Sequence, residues 1–336
     1  MQVFNSLISS RYDIKPVALK EDAIPEGLSC LIIAKPTEKF TDFELFQIDQ
    51  ALMKGTNIAF FGDAFNEIMP QGGMGMPQYP PIDTGLEKLL SHYGVDIKKA
   101  FVLDKKAYKH QAHPSQGGGE QIIYFAPMLK EDSINNQPSF MKNIKGLVAM
   151  QISPLELKKE NIDQERVNAV RLLKSSEESW LMEGMINLNP MYISPPSAKE
   201  ELAAHDLAYI LEGRFTSYFK DKPIPEKETG EKDIQDQDSK DGQKPDDGKT
   251  QSAVPEDLVA SNRVIESSKP AKIFVLGCTQ MLQDNMLDPE GRTTNATFIL
   301  NVLDHLNGQD DIAAMRSKQQ TLNPIVQPSP FARGLI

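Results

Sequence analysis

Apolar positions at Val3, Leu7, Ile8 and Tyr12 follow one another at helical spacing and predict a short amphipathic helix at the start of the chain. The stretch 12–19 alternates in part, which predicts a strand. After the turn Ile24-Pro25-Glu26-Gly27 comes LSCLIIA (28–34), apolar on both faces, the pattern of a strand covered on both sides. Lys35-Pro36 ends that run. Thr41 then precedes an amphipathic stretch carrying Phe43, Leu45, Phe46, Ile48 and Leu52, with Glu44 placed to complete a capping box and Gly55 as the stop. NIAFF (57–61) reads as a second buried strand. Strand, helix and strand in about 35 residues is the size of a right-handed βαβ unit with parallel strands.

Beyond it, 62–81 is rich in Gly, Met and Pro and reads as a long surface loop, leading into a helix over 84–93 closed by Gly94. Short strands are predicted at 100–103, 121–125 and 146–150, separated by loops such as KHQAHPSQGGGE (109–120), a spacing that suggests sheet-edge hairpins. Strand-like runs recur at 167–173, 207–211 and 272–278, and TFILNVLDHL (297–306) predicts a helix with Gly308 just past it. The fold class that results is α/β, a mostly parallel sheet sandwiched by helices. Residues 221–250 break the pattern, with ten acidic and six basic side chains and only Ile224 and Ile234 as apolar ones. So little apolar surface cannot offset chain entropy, so the stretch is expected to be a disordered acidic insertion. The expected organisation is one large α/β domain from 1–220 and 251–322, with any two lobes meeting near 150–165. An extended tail at 323–336 runs toward a membrane segment.

The charge balance narrows the partners. The 336 residues carry a net charge of −11, so the surface repels a phosphate backbone and nucleic acid is not expected as a partner. No apolar stretch approaches the roughly 20 residues that cross a bilayer, and MQVFNSLISSRYD lacks the basic and apolar regions of a signal peptide. Cys30 and Cys278 are the only cysteines, each inside an apolar run, and read as small buried side chains.

Catalytic patterns are sparse. The chain has no GxSxG elbow, no HExxH, no Walker lysine loop and no GxGxxG opening a helix after a strand. Gly72, Gly73 and Gly75 make a glycine-rich loop without the Lys-Ser/Thr that phosphate cradling needs. The histidines 92, 110, 113, 205 and 305 are dispersed and read as solvated loop residues; only His110 and His113 are close enough to suggest a metal pair, and neither a metal nor a cofactor is expected. In an open parallel sheet the loops after the strand C-termini line the ligand crevice. That rule nominates Lys35 and Asp63, placed after their strands, and Cys278, directly after KIFVLG, as crevice-lining residues. Cys278 is the one candidate nucleophile, and TQMLQDNM after it supplies no base.

Several strings together resemble one family. IPEGLSCLIIAKPTEKFTDFELFQIDQALMKGTNIAFFGD (24–63) is similar to the soluble region of gliding-motility-type ABC transporter auxiliary proteins, with their Ile-Asp-Gln helix core and Met-x-Gly end. TGLEKLLSHYGVDIKKAFVLD (84–104), LEGRFTSYFKDKPIP (211–225) with its Gly-x-Phe-x-Ser-x-Phe pattern, and NATFILNVLDHLNGQDDIAAMRSK (295–318) with its Arg-Ser segment follow in the family's order. The resemblance implies a class I glutamine-amidotransferase-like or flavodoxin-like α/β fold and a membrane-anchored, non-catalytic role facing the periplasm. The implied partners are the permease and ATPase subunits of an ABC-type transport or gliding system, or other components of the membrane complex. The family's flanking membrane helices and upstream domain are not in this sequence, so attachment is expected through segments outside it. Relatives commonly carry an acidic residue where Cys278 stands, which argues against a thiol mechanism. The competing readings are an amidotransferase-like or hydrolase-like enzyme using Cys278, and a sugar- or peptide-binding module.

Overall fold

The computed structural model describes residues 1–70, 75–111, 118–142, 144–165, 167–227 and 263–322, save the side chains of 200 and 317–322. Residues 228–250 of the expected acidic insertion, 251–262 of the expected α/β domain, the expected tail at 323–336, Gly72, Gly73 and His113 lie outside the described residues. The elements follow the order α1 (Gln2–Ser9), β1 (Cys30–Ala34), α2 (Asp42–Met53), β2 (Asn57–Phe61), α3 (Leu86–His92), β3 (Val95–Ile97), β4 (Ala100–Asp104), β5 (Ala107–Gln111) and β6 (Glu120–Leu129). Then come β7 (Leu147–Val148), β8 (Leu155–Leu157), α4 (Lys159–Glu165), β9 (Asn168–Lys174), β10 (Ser179–Glu183), β11 (Asp206–Gly213), β12 (Ala271–Leu276), α5 (Thr294–Leu306) and α6 (Asp310–Leu322).

The βαβ unit read from the pattern is present, since β1 and β2 pair in parallel from Cys30 against Asn57 to Ala34 against Phe61. β12 adds in parallel on the other side of β2. From there the sheet turns antiparallel: β11 pairs against β12, β9 and β8, and β8 against β3. The central sheet is therefore mixed, and the expected parallel platform is confined to β1, β2 and β12. Apolar runs such as 167–173 and 207–211 report burial on both faces but carry no strand direction, which is why the antiparallel half was not read. A two-stranded β4–β10 pair and a three-stranded β5–β6–β7 sheet accompany it as separate sheets; of the expected edge hairpins only β5–β6 is a hairpin, and β4 pairs instead with the distant β10.

Strand periodicity distributes the core. In β2, Ala59 and Phe61 join α1 and α5 in one buried cluster, while Ile58 and Phe60 join α2 and α3 in another. β12 divides the same way, with Phe274 and Leu276 on the first side and Ile273 and Val275 on the second. Both central strands are thus covered on both faces, and each fully buried Ile, Val, Leu or Phe among these residues contributes about 1.5–3 kcal/mol of transfer free energy. A third, smaller cluster gathers Phe65, Phe101, Leu103, Trp180 and Leu188 around β4 and β10.

Three expectations are corrected and a fourth is refined. Residues 12–19 form no strand. β1 is an edge strand whose residues are only half-buried, because its outer side lacks a strand neighbour among the described residues. The 62–81 stretch is a surface loop as expected over most of its described residues, tied back on itself where Phe65 bridges Pro81 and Ile68 bridges Gln78, with Ala64 and Phe65 buried. Residues 109–111, expected in a loop, continue β5.

The capping box at Thr41 forms as read, with Glu44 N–H donating to Thr41 Oγ1 at 3.2 Å and Thr41 N–H to Glu44 Oε2 at 2.7 Å. Ten of the twelve residues of α2 are buried, so its polar Asp49 sits inside the molecule. Asp49 accepts hydrogen bonds from the Tyr93 hydroxyl, Ser217 Oγ at 2.7 Å, the Tyr218 N–H at 2.8 Å and Gln50 Nε2 at 2.9 Å. Burial and the neighbouring Asp49 carboxylate push the Tyr93 hydroxyl well above its ordinary pKa. Gln50 in turn accepts from the Ile265 N–H at 2.9 Å and donates to its carbonyl at 3.3 Å. The Ile-Asp-Gln and Gly-x-Phe-x-Ser strings are thus two halves of one fastening. The Arg-Ser string has a similar part: Arg316 on α6 donates to Asp304 at 2.6 Å and to Asn301 on α5, and Tyr12 donates to the same Asp304.

The histidines are not uniformly solvated loop residues. His305, 8% exposed on α5, lies 2.6 Å from Glu212 and 2.6 Å from Asp310 and stacks on Phe140. His92 sits in the last turn of α3, with Nε2 2.9 Å from the Thr216 carbonyl.

Candidate functional site

Because β1, β2 and β12 run in one direction, the residues that follow them meet at one edge of the sheet. There they enclose a cavity of about 420 Å³, within the roughly 300–1,000 Å³ typical of ligand sites. Lys35 enters from the end of β1, Asp63 from the end of β2, and Gln280, Gln283 and Asn285 from the segment after β12. The loop after β2 adds Asn66, Glu67 and Met69, and Gln151 arrives from the segment after β7. Phe65, Phe101 and Ile82, none more than 7% exposed, supply the apolar part of the wall.

The backbone at this rim is strained. Lys35 and Gln151 adopt φ of 55° and 54°, left-handed values that cost a non-glycine residue on the order of 1 kcal/mol or more. Both line the cavity. Gly277 permits the close approach that brings Gln151 and Gln280 together: a Cβ there would lie 2.4 Å from the Ser153 carbonyl oxygen, while the Ser153 N–H donates to the Gly277 carbonyl at 2.8 Å. Gln280 Nε2 then donates to Gln151 Oε1 at 3.0 Å, tying the β12 end to the segment after β7.

Asp63 is held from one side by Thr279, whose N–H donates at 2.6 Å and whose hydroxyl donates to the other carboxylate oxygen. Burial raises the Asp63 pKa above the ordinary carboxylate value, against the lowering effect of the Thr279 hydrogen bonds and the Lys35 charge. Among the described residues the Lys35 ammonium makes no ion pair.

Of the three residues nominated from the sequence, the structure brings Lys35 and Asp63 to the cavity and leaves Cys278 behind its wall. Cys278 is 0% exposed, its thiol donates to the Met150 carbonyl at 3.1 Å, and burial, followed by the Asp63 charge, pushes its pKa up. A thiol so placed is neither ionised nor reachable by a substrate in the cavity. Cys30 is likewise pushed up by burial, to about 12. The carboxamides of Asn66, Gln151, Gln280, Gln283 and Asn285 were not read from the sequence. The rule that nominated Cys278 reaches Gln280 when extended by two residues, whereas nothing in the string GLVAMQISP marks Gln151.

Residues 1–302 match the family model described as an ABC-type uncharacterized transport system. The protein belongs to this ABC transporter auxiliary family. It is therefore an auxiliary component of an ABC-type transport system, a membrane-associated assembly, and the family assignment suggests a non-enzymatic role. Among the described residues no helix is long and apolar enough to cross a membrane. No curated protein matches the chain. Among solved structures, the mmIFT52 N-terminal domain is similar at 16% identity and a TM-score of 0.45, over 89% of this chain and 87% of that one.

Proposed function

We propose that this protein is a non-catalytic, extracytoplasmic domain of an ABC-type transport or gliding-motility system, and that the rim cavity is where it holds a partner protein or substrate. One observation carries the reading: the strand ends converge on a polar cavity built from Lys35, Asp63 and five carboxamides, a lining suited to hydrogen bonding. Two-sided packing of β2 and β12 makes the platform stiff, so the rim groups are held in place before a partner arrives. Family membership supplies the transport context. The enzymatic alternative built on Cys278 draws no support from a thiol that does not reach the cavity.

The proposal extends to architecture. The parallel β1–β2–β12 half, with helices on both faces, is the part that supports kinship with class I glutamine-amidotransferase-like or flavodoxin-like folds. The pairing of β11 with β12, from Ala208 against Leu276 to Gly213 against Ala271, supports reading the described parts of 1–220 and 251–322 as one domain. The functional test is co-purification of the transport complex from membranes with the wild-type chain and with a Lys35→Ala/Gln280→Ala variant. The reading expects the permease and ATPase to be lost with the variant while its circular dichroism is unchanged. Full retention of both subunits refutes the cavity as the contact site. Periplasmic placement is tested by protease accessibility in spheroplasts, where the domain is expected to be digested without lysis.

A further inference from the structure

Side-chain carboxamides dominate the polar part of the rim cavity. Each one offers a carbonyl acceptor and two N–H donors, the same groups that a peptide bond presents. Among the described residues the single bond from Gln280 Nε2 to Gln151 Oε1 uses one donor and one acceptor. The carboxamides of Asn66, Gln283 and Asn285 make no hydrogen bond with described residues, nor do the Gln151 amide nitrogen and the Gln280 oxygen. The site therefore offers unspent donors and acceptors in mixed order from three chain segments.

The apolar lining discriminates between ligand classes. Phe65 and Phe101 pack on each other at 5.0 Å between centroids, and Phe101 packs further on Tyr79. At 7% and 1% exposed, these rings do not present the open face on which a sugar ring stacks. The exposed apolar group is instead Met69, 58% exposed, an unbranched thioether that adapts to side chains of different shape. Lys35 and Glu67 place opposite charges in the same lining, so a chain with either charge finds a partner there.

Resting on the reading of this cavity as a docking site, we propose that it takes an extended peptide segment of a partner protein, recognised through main-chain amides by Gln151, Gln280, Gln283, Asn285 and Asn66. Side-chain contacts are then loose and centred on Met69, so the site selects for extended backbone more than for sequence.

The test follows the side-chain amide resonances of the isotopically labelled chain by NMR during titration with capped trialanine (acetyl-Ala-Ala-Ala-N-methylamide) and, separately, maltotriose. The proposal expects trialanine at millimolar concentration to shift the side-chain signals of Gln151, Gln280, Gln283 and Asn285, and maltotriose to leave them in place. Gln280→Ala is expected to weaken trialanine binding about fivefold, the effect of losing one or two hydrogen bonds. Gln283→Ala, at a position outside the Gln151–Gln280 bond, gives a second reading should Gln280→Ala disturb the rim. Shifts with maltotriose in place of trialanine make the ligand a sugar and overturn the peptide assignment, and shifts with neither overturn it too. If trialanine fails while the Lys35→Ala/Gln280→Ala variant still loses the transport complex, the peptide class falls and the docking role stands. If the complex is also retained, both fall.

Discussion

Asp49 joins two segments about 170 residues apart, and its replacement measures how much of the fold depends on that joint. The carboxylate is 0% exposed and accepts four hydrogen bonds, from Tyr93, Ser217, Tyr218 and Gln50. In Asp49→Ala the Tyr93 hydroxyl, Ser217 Oγ and the Tyr218 N–H lose this acceptor, while Gln50 Nε2 keeps the Ile265 carbonyl. A hydrogen bond to a charged group is worth about 1.5–3 kcal/mol, but these four share one acceptor group and do not add. Removal also relieves the desolvation cost of a buried charge. A buried donor left without a partner costs about 1–3 kcal/mol, and with three donors sharing the lost acceptor the expected loss is about 3–5 kcal/mol on balance. Asp49→Asn keeps one oxygen, but its amide turns toward the donors of Ser217 and Gln50; the expected loss is about 2–3 kcal/mol. Urea unfolding followed by far-ultraviolet circular dichroism reads both, with Asp42→Ala as a control at an exposed position of the same helix, expected within about 0.5 kcal/mol of wild type. A loss under about 1 kcal/mol for Asp49→Ala would show that the network is not what fastens α2 to the 215–219 segment.

Two further expectations follow from the rim. Asp63 binds its proton more tightly in the folded chain than in the unfolded one, so between the ordinary carboxylate pKa and the raised one the native state holds more protons and stability falls as pH rises. Asp63→Asn preserves an acceptor for the Thr279 N–H and removes that dependence; urea midpoints measured from pH 4 to pH 7 should be flatter than in wild type, and identical slopes would contradict the raised pKa. Cys278 should react with iodoacetamide at pH 8 only as fast as the chain unfolds globally, since its thiol is buried and its pKa pushed up; rapid native-state labelling would show an open path to the sulfur.

How much of this was legible depends on which signals are local. The capping box at Thr41 and Glu44, the helix end at Gly55 and the apolar runs of β2 and β12 are written in neighbouring residues, and they fold as read. The parallel pairing of β1 with β2 was legible because α2 between them requires a crossover. The antiparallel placement of β11, β9 and β8 depends on which distant strand each meets, and buried runs do not encode it. β1 reads as fully buried although it is an edge strand, for the same reason. At the site, the position of a residue after a strand was enough to nominate Lys35 and Asp63. Cys278 satisfied the same rule but points into the core, because one step along the chain beyond Gly277 decides which side a group faces. Gln151 is invisible to such a rule; it reaches the cavity through a left-handed backbone and the close approach that Gly277 allows. The short Ile-Asp-Gln, Gly-x-Phe-x-Ser and Arg-Ser motifs of the family resemblance map onto the Asp49 and Arg316 fastenings, while the longer 24–63 string also carries Lys35 and Asp63 to the cavity.

The central claim is that the rim of β1, β2 and β12 touches another component of the transport system. Its most direct test is photocrosslinking in intact cells from p-benzoylphenylalanine placed at Gln283, at Asn285 and, as a control on a separate face, at Lys159. The account predicts crosslinks to a subunit of the transport complex from the first two positions and none from Lys159. Crosslinks from Lys159 alone, with Gln283 and Asn285 silent, would contradict it.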